Sequence, residues 1–235
     1  MKPYTEIYDD IRKKIRNGEL TAEAEVRNVY GDIISFRSEY DKAVALLVDD
    51  GLLRQESGKI LVNKVRARSK RGSSFKEDYS AQGRKTEIKV IKTEVVPVGQ
   101  CPVYVQDAYK HQKQTSMLFR YYHVQIVDGI PHAVADSYFP FEIVAEGFGS
   151  ITSGDMDVYD YMKNKKYVPT RKKETLYVDS PDSNERVHLK LSETPGIAVV
   201  RLDCSVFSDA TLIECCMLCD RADLYEFTYD VRIEG

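Results

Sequence analysis

Apolar residues recur at helical spacing from the start of the chain. Tyr4, Ile7, Tyr8, Ile11 and Ile15 fall on one stripe, with Arg12, Lys13, Lys14 and Arg16 turned outward. That spacing predicts an amphipathic helix opened by Pro3 and stopped by Gly18. A short helix over 23–30 and a turn through 31–35 are expected next. Residues 37–50 read as a longer helix, because Tyr40, Ala43, Val44, Leu47 and Val48 repeat every three or four positions before Gly51. Two β-like runs, LLRQE and KILVN, then flank Ser57-Gly58, a hairpin signal. Three helices and a hairpin describe a winged helix-turn-helix, whose third helix would enter a DNA major groove. They describe equally a small helical bundle capped by a hairpin, and pattern alone leaves both open.

Beyond residue 72 the pattern is mainly strand-like. Strands are expected from Thr86 onward and over 116–127, 132–139, 174–178, 197–207, 212–218 and 224–233. A turn at Asp128-Gly129-Ile130-Pro131 separates two of them, and a helix is expected near 103–112. The segment EGFGSITSGD reads as a glycine-rich loop leading to a helix over about 156–166. Its hydroxyls, Ser150, Thr152 and Ser153, could line a pocket or cap that helix. Strands with a few packed helices make an α+β domain.

The composition is that of a folded chain: 235 residues, 43% hydrophobic and 30% charged. No apolar run approaches the roughly 18 residues of a membrane span, and the N-terminus lacks the apolar core of a signal peptide. A soluble, cytoplasmic protein without a membrane partner is expected. The net charge of −3 hides an uneven layout. Residues 64–71 carry Lys64, Arg66, Arg68, Lys70 and Arg71 and no acid, between two mildly acidic blocks. Such a run attracts polyanions or serves as a solvated linker. Five cysteines, an odd number without zinc spacing, argue against a disulfide framework. Cys215, Cys216 and Cys219 cluster on an expected strand, where buried core thiols are commoner than redox sensors. His111, His123, His132 and His188 show no ligand spacing, so no metal and no other cofactor is expected. The lone Gly147-Phe148-Gly149 has no dinucleotide-binding context.

The order of these motifs resembles the GntR superfamily of bacterial transcription regulators, HutC subfamily. PYTEIYDDIRKKIRNGEL resembles the family's opening, FRSEYDKAVALLVDDGLL its recognition helix and exit, and ESGKILV its wing. SFKEDYSAQGR, DGIPHAVADSYFP and IECCMLCDRADLYEF resemble three phrases of the subfamily's effector domain, the UTRA domain, which shares the chorismate lyase fold. The resemblance implies an α+β protein. A winged helix-turn-helix over 1–63 and a basic linker over 64–71 precede a chorismate-lyase-like effector and dimerisation domain with an antiparallel sheet over 72–235. Operator DNA, a small-molecule effector and a second copy of the chain are the implied partners, and no catalytic residue is implied.

The same resemblance places Arg27 and Arg37 near bases or phosphates and Lys42 where many relatives carry a second arginine. Ser35 would touch phosphate from the turn, and Gly58 and Lys59 form the wing tip. Two features depart from it. The stretch before Arg37 is short, and Glu39, Asp41, Asp49 and Asp50 add negative charge, the last two expected to face solvent. In the effector domain, relatives grip anions with two arginines, where this chain has His123 and Gln125. Ala135 replaces a glutamate, Glu214 is retained, Asp220 stands at a tyrosine position and Arg120 lies nearby, while Tyr138 and Phe75 are expected as apolar walls. Without the arginine clamp the implied effector is neutral or amine-bearing: a sugar, an amine or a related metabolite. The rival readings are a chorismate-lyase-like enzyme and an effector-binding adaptor that has lost DNA binding.

Overall fold

The computed structural model describes residues 3–17, 19–20, 26, 37–50, 52–62, 75–80, 83–191 and 196–224. Arg27, Ser35, the helix expected over 23–30, the basic run 64–71 and nearly all of the strand expected over 224–233 lie outside these residues. Two compact units partition the chain. Met1–Ser69 belongs with Asp182–Ile197 and Ala222–Gly235, and Lys70–Pro181 with Ala198–Arg221.

In the first unit α1 (Tyr4–Arg16) packs on α2 (Arg37–Asp49), and α2 on the hairpin of β1 (Leu53–Glu56) and β2 (Lys59–Val62). The buried stripe of α1 is narrower than its pattern, with Ile7, Tyr8 and Ile11 inside and Tyr4 exposed. Tyr40, Ala43, Val44 and Leu47 form the buried face of α2. Asp50, expected in solvent, is buried. It accepts a 2.6 Å hydrogen bond from the Tyr8 hydroxyl, which ties the end of α2 to α1. Ser57 and Gly58 both take positive φ, 50° and 76°, the two-residue hairpin geometry that matches strand twist.

In the second unit six antiparallel strands lie in the order β3-β4-β5-β8-β7-β6. These are β3 (Thr86–Pro97), β4 (Met117–Val127), β5 (Ile130–Pro140), β6 (Arg171–Asp179), β7 (Val199–Ser208) and β8 (Thr211–Arg221). Short helices cover both faces: α3 (Phe75–Ser80), α4 (Val103–Ala108), α5 (Phe141–Val144), α6 (Phe148–Ser153) and α7 (Val158–Asn164). One face carries Phe119, Phe139, Val206 and Ile213 against Ile143, Ile151, Val158 and Met162. The other packs Leu118, Tyr138 and Cys215 against Val105 and Tyr109.

The glycine-rich loop expected over 146–155 is largely helical, through a 3-10 turn at Ala145–Gly147 and α6. Gly147 lacks a side chain because the Tyr161 ring lies over it: a Cβ there would stand 2.3 Å from Cε2. Packing, not turn formation, selects this glycine. A helix absent from the sequence reading, α8 (Ser183–His188), belongs to the first unit. A capping box starts it: Glu185 N donates to Asp182 Oδ1 at 2.8 Å, and Asp182 N donates to Glu185 Oε2 at 2.7 Å.

Candidate functional site

Each unit presents one candidate surface. In the first, Arg37 opens α2 with its side chain 78% exposed, while the helix's apolar face is turned inward. Asp41, one turn on, lies 3.8 Å from Arg37 Nε. Lys42 is exposed and stands 5.8 Å from the Tyr4 ring centroid. Glu39 Oε2 accepts a 3.1 Å hydrogen bond from Tyr4 N, so this acid closes the start of α1. Gly58 and Lys59 sit exposed at the hairpin tip. An exposed arginine at the head of a helix beside a projecting hairpin can reach a base edge, with the hairpin on neighbouring phosphates.

In the second unit a cavity of about 450 Å³ opens beside the β3 edge. Thr86, Ile88, Val90 and Tyr121 form its floor, Phe75 and Lys76 of α3 one wall, and Gly154–Asp157 with Asp160 and Asn164 the other. Its charged lining is lopsided: Glu87, Asp155, Asp157 and Asp160 against Lys76 alone. Lys76 Nζ lies 3.9 Å from Asp160. Asp157 is held by accepting from Tyr159 N at 2.8 Å and Asp160 N at 3.2 Å, at the start of α7. The hydroxyls of Thr152 and Ser153 bond carbonyls within their own helix, and neither lines the cavity.

Strand register sorts the expected effector residues into two groups. Side chains alternate across a sheet, and paired residues share a face. His123 pairs with Val90 and Gln125 with Ile88, so both lie on the face that floors the cavity. Through Ala133, Gln125 shares that face with Asp220. Burial holds the His123 imidazole down to about 4, and its Nδ1 lies 3.4 Å from the Tyr121 carbonyl. At neutral pH His123 is uncharged and cannot do an arginine's work on a phosphate. Gln125 Oε1 is buried without a hydrogen-bond partner among the described residues. Glu214 is also buried. Burial pushes its carboxyl above the usual range, against the hydrogen bonds it accepts from Tyr159 and Ser137.

Arg120 and Tyr138 pair with each other on the opposite face. Tyr138, expected to wall one site with Phe75, thus lies across the sheet from the cavity, because Arg120 and His123 stand three positions apart on a strand whose side chains alternate. All three nitrogens of the Arg120 guanidinium are engaged. Nε and Nη2 donate to the two oxygens of Asp136 at 2.8 and 2.9 Å, and Nη1 donates to Glu94 at 2.7 Å. It lies 5.7 Å from the Tyr138 ring centroid. Of the seven expected effector residues, Phe75 alone lines the cavity. Sequence reasoning missed the acidic wall, although Asp155, Asp157 and Asp160 crowd after Gly154, where the expected loop passes into the expected helix. Among the described residues no group of three His, Cys, Asp or Glu side chains could hold a metal ion. No described helix is long and apolar enough to cross a membrane.

Residues 81–226 match the family model described as the UTRA domain. The chain belongs to the UTRA family. No curated protein matches it in sequence. The solved structure of PhnF from Mycobacterium smegmatis is similar in fold over the whole chain. It is 15% identical, with 99% of this chain and 100% of that one covered and a TM-score of 0.60. The effector domain of the same protein is 16% identical with a TM-score of 0.57, covering 68% of this chain and 95% of that one. A GntR-family transcriptional regulator from Bacillus cereus is 15% identical with a TM-score of 0.51, covering 63% and 99%. The UTRA match takes in every strand from β3 to β8, and with them the cavity floor. The shared fold is α+β, with N-terminal helices before an antiparallel-sheet domain.

Proposed function

We propose that this UTRA protein is a one-component transcription regulator of the GntR type, acting as a repressor. Residues 1–63 read operator DNA, residues 64–71 join reader to sensor, and residues 72–235 bind a small metabolite and pair two chains. The observation that carries the reading is α2, whose apolar face is buried while Arg37 projects from its first turn. An arginine so placed can donate two hydrogen bonds to guanine O6 and N7. Lys42 and Lys59 add phosphate contacts, Ser35 is assigned the same role, and Arg27 is assigned to bases or phosphates. Effector binding changes the relative arrangement of two readers. A difference of about 1–3 kcal/mol between arrangements gives 5–150-fold control.

The effector is neutral or cationic. The cavity's lining acids outnumber its one lysine, and a neutral His123 replaces the clamp that an anion would need. A sugar or amine of metabolite size fits about 450 Å³. A thermal-shift screen of the full chain tests this. Stabilisation by amines or neutral sugars is expected, and stabilisation by sugar phosphates alone would refute it.

A second reading, an effector-binding protein with weak DNA affinity, is favoured by Asp41 lying 3.8 Å from Arg37. A gel shift with the DNA upstream of the protein's own gene separates the two. The regulator retards it in a salt-dependent way, and the adaptor leaves it free.

A further inference from the structure

The last strand of the sheet, β6, pairs on one side with β7 and on the other with no strand among the described residues. Seven of its nine residues are exposed, all but Glu174 and Leu176. It is straight, with no register shift against β7 and no proline. The opposite edge is built differently: β3 carries a bulge between Val90 and Lys92 and ends on Pro97, devices that blunt an edge. Basic residues on an edge ordinarily repel a second strand. In β6 they occupy one end only, and an aspartate closes the other.

We propose that β6 pairs antiparallel with β6 of a second copy of this chain, across a twofold axis at Thr175, fusing the two sheets into one. This rests on the dimer reading given above and adds where the dimer forms. The strand RKKETLYVD is complementary to itself in this register. Arg171 meets Asp179 of the partner copy at both ends, Lys173 meets Tyr177, and Thr175 meets itself on the axis. These five side chains project from one sheet face, because their register partners alternate with those of the other face. Opposite-charge pairs and threonine pairs are among the favourable cross-strand contacts, and lysine over tyrosine adds a cation–π contact. This centring also gives every one of the nine residues a partner. A shift toward Arg171 would set Glu174 against Glu174, and a shift toward Asp179 would leave Arg171 and Lys172 unpaired. On the other face the pairing covers Val178, which is 68% exposed in the single chain.

The test uses the full chain. At the axis, paired Cα atoms stand about 4.5–5.5 Å apart, within disulfide range. Thr175→Cys should therefore give a reducible covalent dimer on oxidation, while the native cysteines, all buried, stay out of the reaction. Arg171→Asp should weaken dimerisation about tenfold in a sedimentation concentration series, since it turns two attractions into repulsions. Asp179→Arg should weaken it similarly. Mixing the two variants should restore dimers, because each chain then supplies the charges the other lacks. A wild-type dimer that neither cross-links through position 175 nor responds to the charge changes would overturn the β6 assignment and leave the dimer reading standing. A wild-type chain that stays monomeric throughout would remove both.

Discussion

A methyl group added at Gly147 has nowhere to go, because the Tyr161 ring already occupies the space. Gly147→Ala should cost about 1–3 kcal/mol of stability, the usual penalty of overpacking, measured as a lower denaturant midpoint at an unchanged slope. His123 supplies a second prediction at this scale. Its native imidazole resists protonation down to about 4, whereas the unfolded chain takes the proton near 6.5. The unfolded state therefore binds more protons in that window, and stability falls as pH drops through it, by up to about 3 kcal/mol. His132, held down to about 3 by burial and then by Arg84 and Arg221, acts in the same direction. Glu214, pushed up by burial, opposes both. Melting curves between pH 7 and 5 should show a shallower loss in His123→Gln than in the wild type. The sequence gives the residue types at 123 and 125 but not their charge state. Protonation is set by burial in the folded chain.

Among the elements, those with strong periodicity were legible, as were the short α4 and α7, while α3, α5, α6 and α8 were not. The strands expected over 116–127 and 132–139 lie at 117–127 and 130–140, and the expected four-residue turn between them narrows to Asp128-Gly129. The helical stretch over 141–153 was not legible, because its glycines read as breakers when one of them answers to an aromatic ring. Helix α8, at six residues, is too short to show a period, yet its Asp-x-x-Glu start was present to be read. Asp182→Ala should remove that cap and cost about 1 kcal/mol. Circular dichroism melting of the full chain would show it as a lower midpoint. In the wing, Gly58 holds φ at 76°, which a β-branched residue adopts only with strain. Gly58→Val should weaken DNA retention with little change in the melting of the second unit, read by gel shift beside calorimetry.

For the whole molecule the decisive prediction concerns Arg37. Arg37→Ala should cost about 1–3 kcal/mol of operator binding, tenfold or more, and relax base preference at one position of each half-site. Titrated gel shifts against a randomised site would show it, and unchanged retention would refute the role given to α2. The order of motifs along the chain made the architecture readable. The cavity's acidic wall was not, because segments around Phe75, Thr86–Val90 and Gly154–Asn164 meet only in the folded chain. Tyr138 lies away from that cavity for a related reason, since one residue of strand parity moves a side chain through the sheet. The thiols carry a practical consequence. All five cysteines are unbridged and buried, and burial raises Cys101, Cys204, Cys215 and Cys216 above the ordinary thiol range. An alkylating reagent should reach Cys204, Cys215, Cys216 and Cys219, which lie on β7 and β8, only when the sheet opens. The rate of labelling in unmodified protein is thus a built-in clock for opening, and the arrival of an effector should slow it.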